Sequence, residues 1–288
     1  MVRSLTLQVI SVVRNDENGI KRTLESLITH AEAFTLNGIN LELIIQDGCS
    51  TDQTVLVATG FLKSFDDVGV KVSILSENDN SLFHAMNKAT NRANKECLAI
   101  FLNAGDTLHQ QLDVAMVSHA LIEFNSSHDD LLFLVSENYS ENGYYRMPGK
   151  NCKNVMDFLS WMKFNTPVHQ AVIFRLNGDI PIHYRLDWDI MADSYLIYYI
   201  SKFSSIRFEP LLFCKFELGG LSGNYKRFDK VHQQVKEQLA ISKLRAEPAV
   251  HTYVRLFSLY VKFILTNILG VSLFSKFHIF MLKNFKGQ

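Results

Sequence analysis

The stretch Leu5-Thr6-Leu7-Gln8-Val9-Ile10-Ser11-Val12-Val13, followed by Arg14-Asn15-Asp16-Glu17, decides how the rest of the chain is read. A nearly continuous run of aliphatic and β-branched residues is what a parallel strand covered on both faces requires. Asn15, Asp16 and Glu17 then offer oxygens to the first free N–H groups of a helix. A helical pattern follows through Ile20, Leu24, Leu27 and Ile28, and Asn37-Gly38 breaks it. The alternation recurs. Leu41–Ile45 reads as a strand ending at Gln46-Asp47-Gly48, and a helix starts near Asp52. Val70–Leu75 reads as a strand, Leu82–Ala93 as a helix, and Cys97–Leu102 as a strand ending at Asn103-Ala104-Gly105-Asp106. Alternation of this kind predicts an α/β fold, with a mostly parallel central sheet flanked by helices and ligands at the carboxyl ends of its strands.

The second half is less regular. Leu131–Val135, Gly143–Met147, Val168–Phe174 and Ile206–Phe216 read as strands. Gln110–Phe124, Val155–Met162, Ala192–Ile200 and Lys226–Lys243 read as helices, and Gly219-Gly220 as a turn. A length of 288 residues suits one large domain with a smaller appendage. A hydrophobic content of 47% with 20% charged residues fits a folded chain. The net charge of +0 gives no general case for binding nucleic acid. Cys49, Cys97, Cys152 and Cys214 form no CxxC pair and read as free thiols of a reducing compartment. The N-terminal apolar run is short and lacks a small-residue cleavage site, so it reads as a strand and not a signal peptide. No stretch of about 20 clean apolar residues predicts a membrane span.

Three strand ends carry acids: Asp47, then Glu77 and Asp79, then Asp106. Acids at successive carboxyl ends of one parallel sheet converge on one crevice, where like charges repel. A divalent cation relieves that repulsion, and hard oxygen ligands suit Mg²⁺ or Mn²⁺.

Five segments occur in order: Ser11–Asn15, Gln46–Thr54, Ser76–Asn80, Ala85–Lys88 and Phe101–Asp106. Together they resemble the family 2 glycosyltransferases of bacterial polysaccharide assembly, of the colanic-acid and O-antigen type, over about residues 5–222. The resemblance implies the GT-A fold and transfer of a sugar from a nucleotide-diphosphate donor, with a UDP-sugar favoured. It implies that Asp47 holds the nucleotide base, and that Val13, Asn15, Asp79, Asn87 and Asn103 lie at the nucleotide or donor sugar. Asp106 matches the metal ligand of the DxD region, for Mn²⁺ or Mg²⁺, with Asn103 standing where many relatives carry Asp. Pro167–Ala171 is similar to the family's HQ segment, so His169 joins the donor set. Asp193 matches the general base of an inverting single displacement, with Asp189 and then Asp187 ranked after it. Leu218–Ser222 is similar to a Gly-Gly loop after the last strand. Two departures concern the donor: His84 stands where relatives carry Asp, and Ser81 where they carry Gly.

From Pro248 to Gln288 there is no Asp or Glu, while Arg255, Lys262, Lys276, Lys283 and Lys286 interleave with aromatic and aliphatic residues. A basic amphipathic helix with aromatics reads as an interfacial anchor. The expected organisation is a transferase domain over 1–222 and a helical, basic, membrane-associating segment over 223–288. The expected place is the cytoplasmic face of the inner membrane, with a lipid-linked glycan as acceptor. Alternatively the tail helices pack on the domain or pair in a homodimer. Two other functional readings compete. A nucleotidyltransferase would carry a Gly-rich basic loop after the first strand, and Arg14-Asn15-Asp16-Glu17 is not one. A catalytically degenerate assembly subunit rests on His84 and Asn103 alone.

Overall fold

A computed structural model describes residues 5–140, 143–217, 228–246, 249–270, 273–274 and 276–277. The expected Gly219-Gly220 loop, Lys283 and Lys286 lie outside the described residues.

Strand β1 (Leu5–Val13) has the bounds read from the sequence. Its alternate residues enter two different cores. Leu7, Val9 and Val13 pack with Ile20, Leu24 and Leu27, while Ile10 and Val12 pack with Phe83, Met86 and Phe101. Period-2 geometry sends neighbours to opposite faces, and both faces are covered, so the strand reads as continuously apolar. β1 lies between β2 (Ile39–Asp47) and β4 (Leu98–Phe101), parallel to each, and β3 (Lys71–Ser76) extends the parallel set beyond β2.

The remaining strands are mixed. β8 (Val172–Arg175) joins β4 and β6 (Leu131–Ser140) in antiparallel fashion. β9 (Ile206–Glu217) runs parallel to β6 and carries the short β5 (Thr107–Leu108) antiparallel at its far side. β7 (Gly143–Met147) pairs with β6 off the main path. The order is β3-β2-β1-β4-β8-β6-β9-β5.

α1 (Glu17–Leu36), α2 (Thr54–Gly60), α3 (Leu62–Asp67) and α5 (Val114–Asn125) cover one face. α4 (Leu82–Arg92), α6 (Val155–Met162), α7 (Ala192–Phe203) and α8 (Phe228–Leu244) cover the other. Phe101, Phe174 and Tyr184 are fully buried on this second face, and each such side chain contributes about 1.5–3 kcal/mol on burial. α9 (Ala249–Leu269) packs on α8 through Val231, Val235 and Leu259.

Two elements differ from the sequence reading. The helix expected from Gln110 begins at Val114, because the Asp113 side chain accepts the Met116 N–H at 3.0 Å and sets the cap there. The preceding residues form a turn, closed by the Leu112 N–H donating to the His109 carbonyl at 2.9 Å, after the short β5. The strand expected over Val168–Phe174 opens with a 3₁₀ turn, His169–Ala171, before β8 begins. The turn closes by the Ala171 N–H donating to the Val168 carbonyl at 3.0 Å. All four cysteines are free, as the spacing suggests.

Candidate active site

The carboxyl ends of β1 and β4 face the His169–Ala171 turn, the start of α7 and the end of β9 across a cleft of about 640 Å³. Val13, Arg14, Arg22, Asn103 and Asp106 line one side, and His169, Gln170, Asp193, Ser194 and Glu217 the other.

Asp106 is delivered by a tight turn. Gly105 sits at φ +95°, a left-handed conformation that a side chain disfavours. The Asp106 N–H closes the turn on the Asn103 carbonyl at 3.0 Å. Thr23 of α1 staples it: its hydroxyl donates to the Asp106 carbonyl at 2.7 Å and accepts the Gly105 N–H at 3.1 Å. Asp106 is 6% exposed, and its Oδ2 accepts from the Gln170 amide at 2.8 Å. Burial pushes its carboxyl up to about 7, against the Gln170 hydrogen bond and with the Glu217 charge adding to the rise. Glu217 is held by Arg22 at 3.1 Å.

Asn103 lines the cleft, and its Oδ1 is buried with no hydrogen-bond partner. That unmatched acceptor, the Asp106 carboxylate and the nearby Glu217 supply hard oxygens that fit a divalent cation. Among the described residues no group of three His, Cys, Asp or Glu forms a cage. The arrangement suits a cation shared with substrate phosphates, since such ions commonly take one or two protein carboxylates.

Asp193 stands in the first turn of α7, lines the cleft, and is part-buried. Its Oδ1 accepts from the Ser194 N–H at 2.6 Å and the Ser194 hydroxyl at 3.2 Å. Burial pushes its carboxyl up to about 6; the Ser194 hydrogen bonds oppose the rise and the Glu237 charge adds to it. His169 pairs through Nε2 with the Tyr184 hydroxyl at 2.7 Å, and burial holds its imidazole down at about 3, so it is neutral.

Several residues singled out in the sequence lie elsewhere. Asp47 is buried in register with Val13, one strand away from the cleft. Its carboxylate already accepts from the Ser50 N–H and hydroxyl and from the Ser76 hydroxyl. Asn15, at φ +50°, latches two loops: its Oδ1 accepts the Thr51 N–H at 2.7 Å. Asp79 lies against Gly48, where a Cβ would run into its carboxylate. Asn87 does not line the cleft; its amide spends both ends on the Tyr184 backbone, at 2.8 and 2.7 Å. Asp189 and Asp187 do not line it either: Asp189 is mostly exposed 3.7 Å from Lys230, and Asp187 pairs with Arg185. His84 accepts the Asn80 N–H at 3.1 Å and caps its loop.

The sequence reading assigned nothing to Arg14, Arg22, Gln170 or Glu217. Gln170 had a signal, its place beside His169. Glu217 ends a long apolar strand, which is also where many surface acids stand. The two arginines reach the cleft only because of how α1 and its preceding loop pack.

A protein-family model described as "Glycosyl transferase family 2" matches residues 8–158, slightly more than half of the chain. No curated protein matches the sequence significantly. Among solved structures, S. aureus TarS 1-349 in complex with UDP is similar at 18% identity and TM-score 0.56, over 82% of this chain and 66% of that one. S. aureus TarS is similar at 17% identity and TM-score 0.57, and this chain covers 40% of it. The mannosyltransferase PcManGT from Pyrobaculum calidifontis, in complex with GDP-Man and Mn²⁺, is similar at 13% identity and TM-score 0.55, over 96% of this chain and 75% of that one. At these identities the likeness shows a shared GT-A fold. The family match spans the four parallel strands and the Asp106 turn, and on it the chain belongs to glycosyl transferase family 2.

Proposed function

We propose that the protein is an inverting glycosyltransferase that moves a sugar from a nucleoside diphosphate donor, with uridine as the base, to a hydroxyl of a lipid-linked glycan. One observation carries this reading: two carboxyls far apart in sequence, the buried Asp106 and the part-buried Asp193, line one cleft. Relatives of the same fold are titled as complexes with UDP or with GDP-Man and Mn²⁺, which supports a nucleotide-sugar donor.

In this reading Asp193 is the general base. Its free oxygen takes the proton of the acceptor hydroxyl as that oxygen attacks the anomeric carbon from the face opposite the leaving group. The new C–O bond forms, the bond to the β-phosphate breaks, and the nucleoside diphosphate departs with the electron pair. The raised carboxyl of Asp193 suits this role, because a base works best when its pKa lies near the working pH. Arg14 and Arg22 line the donor side and offset charge on the diphosphate. Mn²⁺ or Mg²⁺, held by Asp106 with Asn103 Oδ1, would supply Lewis-acid stabilisation of the leaving diphosphate. Neutral His169 donates to or accepts from the sugar without adding charge. Val13 lines the cleft, and the loops that carry Asn15, Asp47 and Asp79 would frame the base and ribose end beside it.

The reading extends to the membrane. Among the described residues no helix is long and apolar enough to cross a membrane. α9 instead exposes Tyr253, Phe257, Ile264 and Ile268, spaced to share one helical face. The sequence from 248 to 288 carries no acid, so an anionic surface meets no like charge there. An amphipathic face of this kind lies in the interface plane.

Calorimetric titration of UDP and GDP, with Mn²⁺ or with EDTA, on wild type and Asp106→Ala tests the donor site. Metal-dependent binding that the substitution removes supports it. Binding without turnover on any acceptor would favour the degenerate-subunit reading. Co-sedimentation with phosphatidylglycerol and with phosphatidylcholine vesicles tests the surface. Retention of Phe257→Glu/Ile264→Glu on anionic vesicles at wild-type levels would rule the α9 face out.

A further inference from the structure

The N-terminus of α7 has no cap of its own. Met191 stands at the N-cap position and no side-chain oxygen from it reaches the helix. The loop that leads into it is instead held from α8. Glu237 Oε1 accepts the N–H of Asp189 at 2.8 Å, and its Oε2 accepts those of Ile190 and Met191 at 3.1 and 2.7 Å. Gln233 donates to Oε1 at 2.8 Å. Lys230 reaches the Asp189 carboxylate at 3.7 Å. Positions 230, 233 and 237 share one face of α8 by helical period, so a whole face of this helix addresses three consecutive residues of the loop.

Glu237 is 3% exposed. A buried acid is costly unless its oxygens are satisfied, and here they are satisfied by peptide N–H groups two to four residues before Asp193. α8 is itself anchored: Ile241 enters the core shared by β1, β4 and α7. The helix that reads from sequence as the start of a peripheral segment is thus built into the wall behind the cleft.

We propose that Glu237 is a positioning residue: by holding the Asp189–Met191 peptides it fixes the first turn of α7, and with it the direction of the Asp193 carboxylate. The inference rests on the reading of Asp193 as general base. Ser194 engages one oxygen of Asp193 from its own helix, but Ser194 moves with that helix. Glu237 is the link that ties the helix start to a different element. Loss of such a link matters because a misplacement of about 1 Å at a reacting group can cost about 100-fold in rate. The titratable groups acting on Asp193 are Glu237 from α8 and Tyr184 from the loop before α7.

The test is steady-state kinetics on the full chain for Glu237→Ala, Glu237→Gln and Asp193→Asn, with UDP calorimetry and Tm on each. Glu237→Ala is expected to lower kcat about tenfold or more while donor KM and UDP affinity stay within about twofold. Glu237→Gln keeps one acceptor oxygen but sets its NH2 against a peptide N–H, so its kcat is expected between those of Glu237→Ala and wild type. In both, the acid limb of the kcat–pH profile moves to lower pH, because a neighbouring negative charge is gone. A Glu237→Ala enzyme with wild-type kcat and an unmoved acid limb overturns the proposal. So does a loss of kcat matched by equal losses of UDP affinity and Tm, which marks a general packing defect. If Asp193→Asn keeps wild-type kcat, the base assignment itself has failed, and that outcome is distinct from either.

Discussion

The two walls of the cleft are built by different means. The donor wall comes from consecutive βαβ units, and its acid, Asp106, is set by local chain geometry: a left-handed Gly105, a turn closed on Asn103, and one staple from Thr23. The opposite wall comes from segments far apart in sequence, and its acid, Asp193, is set by an imported carboxylate 44 residues downstream, Glu237. The first wall can be read from neighbours in the chain. The second exists only once α8 has docked, and this difference says where each wall is most easily broken.

The largest effect is expected at the base. Asp193→Asn should lower kcat by about 10³–10⁴ with UDP affinity within about twofold, checked by paired kinetics and calorimetry. If nucleotide affinity falls in step with kcat, the separation of the two walls is wrong. Asp106→Ala should lower kcat by about 10²–10³ and remove the metal dependence of UDP binding. UDP binding that stays equally sensitive to EDTA would move the cation elsewhere.

The comparison sharpens at Asn87. Its amide ties α4 to the backbone of Tyr184, so it braces both walls without entering the cleft. Asn87→Ala leaves two buried peptide groups unmatched and should cost about 2–4 kcal/mol in denaturant unfolding. Loss of UDP affinity with no loss of stability would return Asn87 to the donor site that the family resemblance implies.

The smallest effect is a gain. The Asp193 carboxyl is raised to about 6, so the folded state holds its proton more tightly than the unfolded chain does. Its contribution therefore favours folding as pH falls through about 6 towards the unfolded value, and opposes it above. Asp193→Asn removes that penalty and should raise Tm by roughly 2–6 °C at pH 8 and by almost nothing near pH 4. A Tm that drops at pH 8 would mean that the ionised Asp193 stabilises the fold.

Much of the first wall was legible from residues. The apolar run of β1 and the break at Asn37-Gly38 marked the strand–helix alternation and the parallel strands, because a parallel sheet with both faces covered leaves a direct imprint on sequence. Of the acids Asp47, Glu77, Asp79 and Asp106, expected to converge, only Asp106 lines the cleft. Asn103 and Asp106, to which the family resemblance assigns donor and metal roles, both line the cleft. Val168–Phe174 was read as all strand, because a 3₁₀ turn of three residues has no period of its own. The order of the three acids near α7 put Asp193 first, and it alone of them lines the cleft. Their spacing could not show that Asp187 would pair with Arg185 and Asp189 lie by Lys230, since both partners are chosen by packing.

By itself, then, the sequence determined the elements whose cause is local: βαβ alternation, helix starts with a capping side chain nearby, and a glycine where the chain must turn left-handed. Tertiary structure alone decided which acids line the cleft, which of them lose their water, and which helix holds the loop before α7. Desolvation and the anchoring of a loop by a distant helix depend on what arrives from far along the chain, and a linear pattern carries no record of that arrival.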